Sequence, residues 1–304
     1  MRYSTMIASI FLLASSAAAH AAECQPVFAS GAQTLIINDV AIEPGGRATQ
    51  NFEVRVQNAA GTPGAPGATP CGATIRVARL GGLPGSDYPP FALSAPGNRQ
   101  IEILADPTAA GTTDSDVVVA NAPPGPQGRV VPFQIGVATE WGLSAGTFTE
   151  PLELLLIDGD GNIVDRTPLT VTVIIPATVS LRLVGAITGG GGNNAAQVDL
   201  GDLSTTRETR SEPFGARVFS TAPYVVSISS INLGNLLHEQ GSEKIPYRLY
   251  YDGVLVDLAG SNEFIQPGGT PRGGDSRPMS VVVPPVVVLA GRYSDRITIT
   301  VTAL

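Results

Sequence analysis

The sequence predicts an all-β protein, two β-sandwich domains in tandem. Three observations lead there. Glycine (35 residues) and proline (25 residues) are plentiful and dispersed along the chain. Between them lie short runs of Val, Ile, Leu and Thr in which apolar and polar residues alternate, the period of a strand with one buried face. One motif also appears twice, once in each half.

The chain begins as a secretory signal over residues 1–21. Arg2 gives the positive start, Met6 to Ala14 the apolar stretch, and Ala19-His20-Ala21 the cleavage site, so the mature chain is expected to start at Ala22. The apolar run is too short to span a bilayer comfortably. Cys24 and Cys71 are the two cysteines. In the oxidising space that export implies, one disulfide between them is the simplest expectation.

The first domain is expected over residues 22–175, with strands near 34–40, 49–57, 74–80, 100–105, 117–120, 130–139, 148–158 and 169–175. Residues 58–70 and 121–128 read as loops rich in Gly, Ala and Pro. Residues 82–91 read as a third loop. It carries Leu83, Tyr88 and Phe91, and together with Trp141, the single tryptophan, these are candidate contacts to a surface or ligand. Pro176 marks the junction. The second domain is expected over residues 176–304, with strands near 197–200, 214–220, 224–231, 245–251, 254–258, 279–283 and 293–302. Asp252-Gly253 gives a tight hairpin turn. Residues 178–184 alternate as Val179, Leu181 and Leu183 and are read as the start of the second domain, with pairing to the first as the alternative.

The repeat is the most informative feature. Ala145-Gly146-Thr147-Phe148-Thr149-Glu150 is echoed by Ala290-Gly291-Arg292-Tyr293-Ser294-Asp295. Each copy leads into an alternating strand: Leu152, Leu154 and Leu156 in the first, Ile297, Ile299 and Val301 in the second. After Leu156 the first copy turns through Asp158-Gly159-Asp160-Gly161-Asn162 and returns as another strand, with Leu169, Val171 and Val173 on one face. The second copy ends at Leu304 with no returning strand. If the domains share a fold, the second lacks its final strand. Its sheet would then present an apolar groove beside unpaired backbone groups, which a strand from another chain could fill.

Composition and motifs argue against other chemistries. The net charge of −8, with 14% charged residues and Lys244 as the one lysine, lacks the basic clusters that nucleic-acid binding needs. Gly142-Leu143-Ser144-Ala145-Gly146 matches a nucleophile elbow, but that chemistry wants a helix after Ser144 and a nearby base. Here a strand follows, and His238, the one histidine of the mature chain, lies in the other domain. Asp158 to Asn162 resembles the start of a calcium loop, but Ile163 and Leu169 stand where Gly and Glu would be needed. A hairpin turn is the simpler reading. No enzyme activity, cofactor or metal is expected.

The second domain resembles the spore coat protein U family, which includes subunits of archaic (Csu-type) chaperone–usher pili. Ala290 to Val301 carries the resemblance, with Val198-Asp199-Leu200-Gly201, Ala222-Pro223-Tyr224, Ile231-Asn232-Leu233-Gly234 and Ile245-Pro246-Tyr247-Arg248-Leu249. It implies an immunoglobulin-like pilin domain that lacks its final strand. Tyr293, Ile297, Ile299 and Val301 would then line the acceptor groove for a donated strand. The implied partners are a periplasmic pilus chaperone, an outer-membrane usher, a neighbouring pilin subunit that donates the strand, and an abiotic or host surface. Only Ala22 and Glu23 precede Cys24 after cleavage, too few to donate a strand, so a place at the pilus tip is expected. The alternatives are a spore-coat-like or adaptor subunit without a ligand, a secreted hydrolase using Ser144, and a soluble sugar-binding module.

Overall fold

The computed structural model describes residues 24–38, 40–60, 71–81, 88–189, 195–241, 243–260 and 262–304. The secretory-signal segment and Leu83 lie outside the described residues. Every regular element among the described residues is a strand.

The first sandwich stacks two five-stranded sheets. One runs, edge to edge, Pro26–Phe28, Arg47–Asn58, Arg129–Ala138, Phe91–Ala95 and Arg99–Ile101. The other runs Gln33–Ile37, Ile163–Ile175, Gly146–Ile157, Cys71–Arg79 and Val117–Ala122. Alternation places one face of each strand in a shared core. Val54, Val56, Ile75, Val77, Ile135, Leu154, Leu156, Val171 and Val173 are all fully buried there. Fully burying such a side chain contributes about 1.5–3 kcal/mol. The expected disulfide joins Cys24 to Cys71, with Cα atoms 5.4 Å apart.

The second sandwich is less regular. Its main sheet runs Val179–Gly185, Phe214–Ser220, Asp275–Val283, Arg248–Tyr251 and Val254–Leu255. Facing it are two three-stranded sheets. One is Glu263–Gln266, Tyr224–Ser230 and Ile297–Ala303. The other is Lys244–Pro246, Asn235–His238 and Tyr293–Ser294. Residues 178–184 therefore belong to this sandwich, because Val179 to Gly185 pair antiparallel with Ser220 to Phe214.

Several elements differ from the sequence expectation, and among them Pro26–Phe28, Asn235–His238 and Glu263–Gln266 are strands where none was expected. Phe91–Ala95 is a strand where a loop was expected to run up to Phe91, because Phe91 to Ser94 pair with Val137 to Gln134. The stretch 245–251 is broken at Tyr247, whose N–H donates to Gly234 O at 3.0 Å instead of joining a ladder. The stretch 293–302 is broken at Asp295 and Arg296, where the chain passes from one small sheet to the other.

Candidate functional site

The glycine of the repeated motif takes the same φ in both copies. Gly146 has φ 150° and Gly291 φ 151°, a region that favours glycine. The aromatic residue that follows packs inward in each. The acid locks the corner, but with different partners. Glu150 is buried and ion-paired with Arg79. Asp295 accepts from Tyr247 Oη at 2.6 Å, from Asn232 N–H at 3.2 Å, and from Ser230 Oγ. Burial and the carboxylate beside it push the Tyr247 hydroxyl well above the ordinary phenol value.

Beyond the motif the two copies part. In the first sandwich, Gly146–Ile157 is an interior strand. It pairs with Cys71–Arg79 on one side and with the returning strand Ile163–Ile175 on the other. That returning strand also pairs in parallel with Gln33–Ile37, from Leu169↔Gln33 to Val173↔Ile37. It places Thr167, Leu169, Val171, Val173 and Ile175 in the core, all buried.

In the second sandwich the corresponding strand, Ile297–Ala303, pairs with Tyr224–Ser230. Among the described residues nothing pairs with its other edge. Across from it, Val179–Gly185 pairs with Phe214–Ser220 and likewise has a second edge without a strand. The two strands approach to within 8 Å between Cα atoms. Ile297, Ile299 and Val301 from one side, and Val179, Leu181 and Leu183 from the other, are half-buried against the second core. Two sheet edges with free backbone groups thus flank an apolar strip, a form that an added strand completes.

The sequence pointed to one wall of this groove. The other wall, Val179, Leu181 and Leu183, was visible as an alternating strand, but its domain was open until its pairing was known. Tyr293 stands apart from the three residues it was grouped with. It lies in the strand paired with Asn235–His238, its hydroxyl donates to Glu243, and its ring meets His238 edge-on at 4.8 Å. That bond, together with the Leu289 N–H, holds the Glu243 carboxyl below its ordinary value.

The aromatic residues considered for surface contact are engaged in packing. Trp141 is buried at 8% exposure and packs at a tilt against Phe219 of the second sandwich, so it sits at the junction of the two units. Tyr88 and Phe91 are half-buried and pack edge-on at 6.0 Å, and Tyr88 also meets Phe148 of the motif at 5.8 Å. Burial pushes the Tyr88 hydroxyl up to about 12. Glycines and prolines around these residues gave a loop pattern, and only the tertiary contacts reveal the packing.

Asp158 closes a hairpin. Its carboxylate accepts from Asp160 N–H at 2.9 Å and Asn162 N–H at 2.8 Å, the Asx-turn chemistry of that sequence. Ser144 is followed by a strand, and His238 is buried in the other sandwich. Its Nδ1 accepts from Gln240 N–H at 3.1 Å, and its Nε2 lies 3.3 Å from Ala290 O.

No family model and no curated protein matches the chain. Several solved structures match the chain at low identity and low TM-score. One is the complex of chaperone and tip adhesion subunit from the archaic chaperone–usher Csu pili of Acinetobacter baumannii. Its identity is 14%, it covers 90% of this chain and 98% of that one, and the TM-score is 0.46. Another is the CupB6 tip adhesin of Pseudomonas aeruginosa, at 12% identity, 92% and 95% coverage and a TM-score of 0.38. A third is the CFA/I adhesin CfaE of enterotoxigenic E. coli, at 12% identity, 90% and 92% coverage and a TM-score of 0.36.

Proposed function

We propose that this chain is an exported pilus subunit whose second unit, residues 176–304, is completed by a strand from another protein. One observation carries the reading: two strand edges without partners among the described residues flank the half-buried Ile297, Ile299, Val301, Val179, Leu181 and Leu183. In this reading a periplasmic chaperone fills the groove first, and a neighbouring subunit's strand replaces it during export through the usher. The first unit, residues 22–175, needs no such completion, since Ile163–Ile175 already closes it. A self-closed unit suits a terminal, adhesive position on the cell surface, with a role in attachment and biofilm formation.

The test is co-expression with a pilus chaperone. The mature chain is expected to form a soluble complex with the chaperone and, without it, to be less stable and to aggregate as its concentration rises. In the complex, amide exchange should slow along Ile297–Ala303. A chain that purifies alone as a stable monomer, with those amides already protected, would overturn the reading. The alternative of an adaptor or coat subunit without a ligand is separated by deleting residues 22–175. Pili that assemble and attach normally without that unit would remove the adhesive role and keep the structural one.

A further inference from the structure

The strand that forms one wall of the groove is linked to the first unit through Phe219 of its neighbouring strand. Ser180 pairs with Phe219 and Arg182 with Arg217, so these side chains stand on the face opposite Leu181 and Leu183. The Arg182 guanidinium lies 5.3 Å from the centre of the Phe219 ring. Trp141 of the first unit packs on the same ring, with centroids 5.5 Å apart. Phe219 thus links the open-edged strand to the first sandwich through two aromatic contacts of the kind that add to simple burial.

A second link runs through the backbone. Thr221 N–H donates to Thr178 O at 3.1 Å, and Thr178 N–H donates to Thr221 Oγ1 at 2.9 Å. Thr221 Oγ1 donates to Pro176 O at 2.8 Å. From the first unit, Ala145 N–H donates to Thr221 O at 2.7 Å. Ala145 opens the repeated motif, so one residue, Thr221, ties the first motif copy, the inter-unit connection and the start of the open-edged strand together. An ion pair between Arg272 and Glu140 adds to the junction.

We infer that occupation of the groove fixes the orientation of the first unit, and that an ordered junction in turn strengthens occupation. This rests on the reading that the groove accepts a strand. A strand bonded along one edge is the easily displaced part of a sheet, and bonding its second edge orders it. Here the ordered strand carries Arg182 and Thr178 on its junction side. Coupling between the two events is reciprocal by thermodynamic necessity.

The probe is a synthetic peptide with the sequence of residues 163–175, which closes the matching edge of the first sandwich. Full mature chains carry spin labels at two exposed sites, Val118→Cys and Val254→Cys. Peptide binding is expected to narrow the distribution of distances between the labels. Trp141→Ala is expected to weaken binding about fivefold or more, within the usual range of allosteric coupling, and to abolish the narrowing. Arg182→Ala changes an exposed side chain, leaves both cores intact, and is expected to act in the same direction. Equal affinity in all three chains with an unchanged distance distribution would overturn the coupling alone. Failure of the peptide to bind any of the chains would overturn the strand-accepting reading and the coupling with it.

Discussion

Gly146–Ile157 and Ile297–Ala303 start from the same motif, with the same glycine backbone, and end in different environments. In the first, Leu152, Leu154 and Leu156 are at most 1% exposed. In the second, Ile297, Ile299 and Val301 remain half-buried, and the strand has one hydrogen-bonded neighbour among the described residues. The difference is a single strand, Ile163–Ile175, and the parallel contact it makes with Gln33–Ile37. One added strand pairs two rows of backbone groups and covers an apolar strip at the same time. Among the described residues the second sandwich has no such strand, so both costs fall at one place, the place that the proposed donated strand would cover.

The comparison can be broken most forcefully with a charge. Leu154→Asp puts an unpaired carboxylate in a closed core and is expected to unfold the first sandwich, read as loss of its unfolding transition in denaturant. The equivalent Ile299→Asp reaches solvent at an open edge. It is expected to destabilise the free chain far less than Leu154→Asp does and to abolish the proposed complex with the chaperone. Similar effects on both sandwiches would mean that the second is as closed as the first.

Truncation gives a finer measure. Leu154→Ala is expected to cost about 2–5 kcal/mol, the range for large-to-small changes in a closed core. Ile299→Ala should cost clearly less in the unoccupied chain, on the order of 1 kcal/mol for a half-buried side chain. The gap is expected to shrink when the groove is filled, because Ile299 is then enclosed as Leu154 is. Denaturant titrations with and without the bound strand provide the check.

Reducing the Cys24–Cys71 disulfide opens a loop of 47 residues in separation and is expected to cost about 2–4 kcal/mol. The loss should fall on the first unfolding unit only. A matching shift in the second sandwich would show that the two units unfold together.

The smallest expected effect is an acid-dependent one. Arg76 holds the Asp116 carboxyl below its ordinary value, chiefly by a side-chain hydrogen bond. A carboxyl with a lowered folded value stabilises fully above its unfolded value, near pH 3.9, and loses that contribution as pH falls through the folded value. Asp116→Asn should therefore flatten the acid limb of the first sandwich's stability curve and leave the second unchanged. Both partners are partly exposed, so the effect should be modest.

Much of this was legible in the sequence because it is local. Alternation in Leu152 to Leu156 and in Ile297 to Val301 fixed strand type and facing. The repeated motif marked two equivalent strands, one in each half. Asp158 to Asn162 carried its own turn chemistry, and the cysteine pair had one simple solution. Strand 91–95 was missed because Tyr88-Pro89-Pro90 disguises its start, and its existence depends on pairing with Arg129–Ala138.

Partnership at a distance was decided only in three dimensions. Nothing local in Trp141 says that it meets Phe219, and nothing in Val179, Leu181 and Leu183 says which sandwich they join. The acids Glu150 and Asp295 look equivalent along the chain, yet one is neutralised by Arg79 and the other by hydroxyl and amide donors. Side-chain periodicity reports which way a residue faces. What it faces depends on segments far away in the chain, and those are brought together only by the packing of whole sheets.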